Sequence, residues 1–464
     1  MNVAQTSRGH RVLRIALALL LLFVAVGAKR RSVTPRGPAP LSLERSFVIT
    51  DKSMLVHFRF QRVLETLIAR SSAPDMTAEA LYRQWFDTGN PKPGLDASMP
   101  HCDDEHTGGR TSLNGLPRRC PASEGLLATA AFRDEDFIPI AVTNRFDLAD
   151  PAGAHCGEYR IVFARIAPQP LPTLHIIFEA VLPNPHPEMG LTGCRAAAQF
   201  WADLSTVDSL AERRARVERF FFDGIAGYEP VIHPHHYRHA PAGVRTMQGN
   251  DATLVVNFTQ FRVMDDCTRG ACRLWFAPDV LENLPFAPLF DSHDQSDRAR
   301  RLRAAFLENV PTLATNDVNL YFMRIPPEFL AGDADPDGDG SGFLATRFYL
   351  NGLSTDEGIQ FNNDLKAILQ QLHSPLAPFD LLARAESQNC MGCHFMGGSV
   401  GAQVQFPHPA EGHQQITELR MEDGEEGPNT RYAISPAIRD VFGPHRMEIL
   451  RAFLTAGTPP VHSQ

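Results

Sequence analysis

The chain has 464 residues, 43% apolar and 21% charged, with a formal net charge of −9. That balance gives a globular protein long enough for more than one domain, and excludes collagen-like, low-complexity and multi-spanning membrane classes. An acidic chain with no basic block in its body is no nucleic-acid binder. Eight cysteines can assist such a fold but cannot replace its core.

At the N-terminus, Arg8, Arg11 and Arg14 precede an uncharged run over 15–28 that ends Val-Gly-Ala. A run this short falls below a comfortable membrane span and has the layout of a secretory signal peptide, 1–28. Lys29, Arg30 and Arg31 follow at once. Positive charge there resists translocation, so an uncleaved N-terminal anchor is the alternative. Either way the body lies outside the cytoplasm, periplasmic or secreted, and touches a membrane only through that segment. Residues 29–44 read as a linker.

Residues 45–374 are expected to form an α+β domain. Helical patterns run over 52–70, 77–86, 195–222 and 358–373. Apolar, β-branched runs over 137–144, 159–166, 174–182, 253–263, 272–276, 319–325 and 343–350 read as strands. Strands grouped around helices without regular alternation favour α+β over a doubly wound sheet. Asn144, Arg145, Asp147, Glu158, Arg160 and Glu179 flank apolar runs. They read as a structural ion-pair network, with a pocket lining as the rival.

In an exported chain the first six cysteines can form three bridges. The local pairing is 102–120, 156–194 and 267–272, with free buried thiols as the alternative. His233, His235, His236 and His239 crowd one short stretch; a turn-rich loop is the default reading, and a zinc or copper site or a distal haem ligand are the others. Asp333, Asp335, Asp337 and Asp339, with Gly338 at the turn, match the first positions of a calcium loop. Its last position is Leu344 rather than a bidentate glutamate. Calcium is therefore a candidate ligand beside a plain solvated turn.

The most specific motif is Cys390-Met391-Gly392-Cys393-His394, the haem c attachment signature. On a helical turn the two thiols share a face and reach the two vinyl groups of one porphyrin. His394 can then offer its imidazole to the iron as proximal ligand. A redox disulfide, half of a zinc site and a structural disulfide are the competing readings. A short helix over 380–389 leads into the motif, and a closing amphipathic helix over 444–454 presents Met447, Leu450, Phe453 and Leu454 on one face. Residues 375–464 are thus expected to be a small all-α haem domain. The sixth ligand stays open among Met421, His408 and His413. An open sixth position would suit peroxide chemistry.

The motif resembles c-type cytochromes over roughly the last 80 residues. The resemblance implies haem c held by Cys390 and Cys393, with His394 on the iron. The usual methionine loop is not at its usual place, which leaves the redox potential open. Asn144-Arg-Phe-Asp-Leu, Cys156-Gly-Glu-Tyr-Arg-Ile-Val-Phe-Ala and Phe178-Glu-Ala-Val-Leu-Pro-Asn-Pro are similar to a group of exported bacterial proteins. Those proteins pair a large N-terminal region with one terminal haem c motif, and the similarity implies no activity.

The resulting expectation is an exported monohaem c-type protein that passes single electrons to a redox partner protein or small molecule. One alternative is a peroxidase-like haem oxidoreductase with an open distal side. The other is a secreted, disulfide-stapled binding protein without haem.

Overall fold

The computed structural model describes residues 40–165, 171–172, 174–249, 256–268, 271–334, 345–386, 421–435 and 437–456. The signal or anchor segment, most of the linker, and residues 335–344 and 387–420 lie outside them. The architecture is mixed α and β with antiparallel sheets, as the grouping of strand and helix patterns implies.

The main sheet has seven strands: β1 (Val48–Ile49), β5 (Phe137–Arg145), β6 (His155–Arg165), β7 (Leu174–Pro183), β8 (Gly243–Gly249), β9 (Val256–Thr268) and β10 (Ala271–Asp279), neighbours in that order. Every pairing is antiparallel. Strands β2 (Glu105–Thr107), β3 (Arg110–Leu113) and β4 (Leu116–Pro117) make a small separate sheet in the Gly/Pro-rich stretch.

Strand alternation explains the first core. Tyr159, Ile161 and Phe163 of β6, with Ile176, Phe178 and Ala180 of β7, are fully buried on one face. Helices α1 (Phe60–Ala69), α2 (Ala78–Asp87), α3 (Arg195–Leu204) and α4 (Leu210–Phe222) cover that face. Phe60 stacks on Phe137 and Trp85 on Phe276, each with ring centroids 4.1 Å apart. The second core gathers Phe258 of β9 with α5 (Asp297–Glu308), α6 (Ala345–Gly352), α7 (Asp356–Gln371) and α8 (Pro378–Glu386).

Local chemistry sets the helix boundaries. The pattern over 195–222 breaks in two because Ser209 caps α4, its side chain accepting from the Glu212 N–H. The pattern over 52–70 also breaks, and α1 is capped from a distance: Asp134 accepts from the Gln61 N–H at 2.5 Å and pairs with Arg59 at 2.7 Å. Thr355 caps α7 through the Gly358 N–H.

Two expected strands are not strands. Residues 345–352 form α6, because Ala345 and Tyr349 bury at helical spacing while Leu350 is exposed. Residues 318–320 form one 3-10 turn, and Met323 and Ile325 bury from extended chain without a ladder. Strand β8 is an addition that the sequence pattern does not announce.

The three local cysteine pairs are the ones that form: Cys102–Cys120, Cys156–Cys194 and Cys267–Cys272. The first clamps the small sheet; the second ties the start of β6 to the start of α3.

A separate all-α unit is not what the described part of 375–464 shows. Helix α8 buries Leu381 and Leu382 in the second core. A hairpin of β11 (Met421–Gly424) and β12 (Gly427–Tyr432) follows, and Arg431 bridges to Asp51 next to β1. Helix α9 (Gly443–Ala456) buries Leu450 and Phe453 in the first core, with Met447 and Leu454 packed against it. Its apolar face is the expected one, but its packing partner is the large domain.

Candidate functional site

Most of the expected ligands lie outside the described residues: Cys390, Cys393, His394, His408, His413, Asp335, Asp337 and Asp339. Two are placed. Met421 is half-buried on β11 opposite Tyr432. Asp333 is 1% exposed; its Oδ2 accepts from the Arg119 N–H at 2.9 Å, and its backbone bridges to Thr259. Those contacts tie Asp333 to β9 and to the strand-rich loop before it.

The residues flanking the Cys390–His394 motif are firmly held. The described residues of helix α8 run to Glu386, four residues before Cys390. Arg384 donates to the carbonyls of Leu313 at 2.8 Å and Thr315 at 2.6 Å. Burial pushes the Glu386 carboxyl up to about 7, although Oε1 accepts from the Thr346 N–H at 2.6 Å. The other end of the segment enters β11, beside the first core.

The second face of the main sheet carries a row of charges. Gly157, at φ +89, makes a bulge in β6 where a Cβ would lie 2.5 Å from the Arg145 carbonyl oxygen. The bulge keeps Cys156 and Tyr159 in the core while Glu158 and Arg160 face the other way. Arg145 grips Asp147 with contacts of 2.8–3.1 Å, and Arg446 of α9 reaches the same carboxylate at 3.6 Å. Arg160 bonds Glu158 at 2.5 Å and Glu179 at 3.0 Å; Arg245 of β8 holds the other Glu179 oxygen at 2.9 Å.

Burial alone would raise Asp147. Arg145 and then Arg446 outweigh it and hold the carboxyl at about 2. Burial likewise opposes Glu158 ionisation, and Arg160 then Arg145 bring its pKa below the usual value. Glu282, at the end of the row, lacks such compensation: burial drives it up to about 7 despite Arg245. These contacts make the row the structural ion-pair network that the sequence favoured. Arg245 joins it without a sequence signal, because the pattern does not reveal β8, and Glu282 joins it from the loop after β10.

The histidine stretch acquires a carboxylate. One ligand atom each of Glu229, His233 and His236 lie within 4.8 Å of one another. Burial brings His236 down to about 4, so that imidazole is neutral near pH 7, and burial lowers His233 as well. His235 points elsewhere, 4.0 Å from Asp265. The signal that could have found the carboxylate is local: Glu229 precedes His233 by four residues.

A Ser-His-Asp chain also forms on the surface. Ser354 Oγ lies 3.3 Å from His293 Nε2, and His293 Nδ1 lies 2.8 Å from Asp291. His293 is 58% exposed by side chain, so the chain lacks the dry setting that sharpens such a relay. The adjacent α7 N-terminus carries Asp356 and Glu357, whose charge opposes an oxyanion. Elsewhere, a groove of about 530 Å³ is lined by Lys92, Met99, Asp104, Asp266, Arg273 and Trp275 among others.

No described helix is long and apolar enough to cross a membrane. Comparison of the chain with protein-family models, with curated proteins and with solved structures finds no match.

Proposed function

We propose that the chain is an exported monohaem c-type protein that transfers single electrons. The observation that carries this reading is Cys390-Met391-Gly392-Cys393-His394. The cysteine arithmetic supports it. The other six cysteines are consumed by three disulfides, so no thiol elsewhere in the chain is left to bridge to Cys390 or Cys393. Two thiols with an adjacent imidazole fit the donor set of haem c. Disulfides also belong to oxidising compartments outside the cytoplasm, in keeping with the signal-like N-terminus.

When bound, haem c supplies a one-electron iron couple. Cys390 and Cys393 would anchor it as thioethers and His394 would ligate the iron, with Met421, His408 or His413 as the candidates opposite. The anchoring is strengthened by α8, whose Leu381, Leu382 and Arg384 fix the chain just before the motif. In this reading α8 and α9 tether a cytochrome c-like segment to the large domain, and the redox partner is a protein or small molecule. The calcium reading of Asp333, Asp335, Asp337 and Asp339 stays secondary.

The three disulfides favour one further reading, a stapled binding protein in which Cys390 and Cys393 pair with each other. Expression of the full chain with a working c-type maturation system separates the two. Haem staining of a denaturing gel should mark the protein, and the Cys390→Ala/Cys393→Ala variant should not stain. An unstained wild-type band gives the disulfide reading. A Soret band that shifts on adding cyanide to the oxidised protein would point to the peroxidase-like variant, with its open distal side.

A further inference from the structure

Residues 229–237 are irregular in sequence but are tied to the end of α4 through Val231 and Ile232. The N–H groups of Val231 and Ile232 donate to the Phe220 carbonyl at 3.3 Å and the Phe221 carbonyl at 3.0 Å. Both side chains are fully buried. Residues Pro234–Tyr237 make one 3-10 turn, which places His233 and His236 with ring centroids 5.2 Å apart.

The His236 ring has an unusual pair of neighbours. Its side chain is fully buried. Nδ1 lies 3.1 Å from the Val231 carbonyl oxygen and Nε2 lies 3.3 Å from Glu229 Oε2. Both neighbours are acceptors, while a neutral imidazole has one N–H. If Nδ1–H serves the carbonyl, the Nε2 lone pair faces a carboxylate. A shared cation resolves that opposition without charging a buried ring. An Nδ1–H bond to a backbone carbonyl is also the arrangement that orients metal-ligating histidines.

We propose that Glu229, His233 and His236 form a site for a zinc-class divalent cation, with two imidazoles, one carboxylate and a fourth position open to water. Imidazole plus carboxylate suits zinc, whereas calcium and magnesium prefer all-oxygen shells. Bonds of about 2.0–2.1 Å set donor separations of roughly 3.4 Å; His236 Nε2 and Glu229 Oε2 already stand 3.3 Å apart, and His233 has to close on them. Glu229, 63% exposed by side chain, and the half-buried His233 have room to move; His236 is the fixed point.

The test uses the untagged full chain, stripped of loosely bound metal by a chelator and titrated with zinc by calorimetry. One zinc per chain at micromolar affinity or tighter is expected. His233→Ala and Glu229→Gln should each weaken binding by about ten-fold or more. His239→Ala, in the same histidine run but outside the triad, should bind as wild type does. Thermal melts without metal confirm that these surface variants fold. Absence of one-to-one binding, or binding that His233→Ala and Glu229→Gln both leave unchanged, overturns the proposal.

Discussion

Glu124 offers a direct reading of what burial costs in this fold. It sits in a single helical turn, 1% exposed, and its oxygens accept from Thr246 Oγ1 at 3.0 and 2.9 Å and from Thr259 Oγ1 at 3.3 Å. Burial raises its pKa from 4.5 to about 7, and the two threonine hydroxyls only partly oppose that. The folded state therefore holds a proton that the unfolded state gives up between these values. Stability from this group is fully present below pH 4.5 and falls as pH rises through 7. Above both values the penalty is about 3 kcal/mol, since each pH unit separating the folded and unfolded titrations costs ~1.4 kcal/mol. Between about pH 5 and about pH 8 the change is roughly 2.5 kcal/mol. Glu124→Gln copies the protonated acid in shape, with an N–H in place of the O–H. Urea denaturation followed by tryptophan fluorescence should place the variant within about 1 kcal/mol of wild type near pH 5. Near pH 8 it should be ahead by about 2–3 kcal/mol. An equal difference between variant and wild type at the two pH values would refute the reasoning.

Other expectations follow from the same contacts. Arg160→Ala removes the guanidinium bonded to buried Glu158 and leaves Glu179, 1% exposed, with Arg245 alone, and should cost about 3–5 kcal/mol in chemical denaturation. Phe453→Ala empties a fully buried position packed on Phe146 at 4.8 Å. It should lower the main unfolding transition by about 3–5 kcal/mol; an unchanged main transition would mean that α9 folds apart from the large domain. Replacing cysteine pairs by alanines should destabilise in the order 156–194, 102–120, 267–272, following loop spans of 38, 18 and 5 residues. On chain entropy the losses are roughly 4, 3 and 2 kcal/mol, readable from denaturation midpoints. A fluorophosphonate probe should leave Ser354 unlabelled, and labelling lost in His293→Ala would show that the surface triad is active.

Much of this fold is legible where periodicity and burial agree. The alternation in β6 and β7 marks both faces of each strand. Met447, Leu450 and Phe453 likewise announce an amphipathic helix. Tertiary context decides the rest. Residues 345–352 look β-branched and aromatic, yet only a helix buries Ala345 and Tyr349 together. Strand β8 has glycines at both ends and charge within it, and it gains its place from Arg245 reaching Glu179 on β7. The composition of the histidine cluster is readable, and Glu229 stands four residues before His233, but their convergence is not. The four histidines are visible, whereas Glu229 joins them only because α4 and the following loop fold its side chain back. Nor can pattern show that α8 and α9, on either side of the Cys390–His394 motif in sequence, pack into two different cores.

The central claim is a covalent haem on Cys390 and Cys393. The most direct measurement is the intact mass of the full chain purified after expression with a c-type maturation system, compared with the Cys390→Ala/Cys393→Ala variant. The account predicts one haem added to the wild-type mass, retained through acid denaturation and absent from the variant. A wild-type mass with no haem, short only of the hydrogens lost to disulfides, would contradict it.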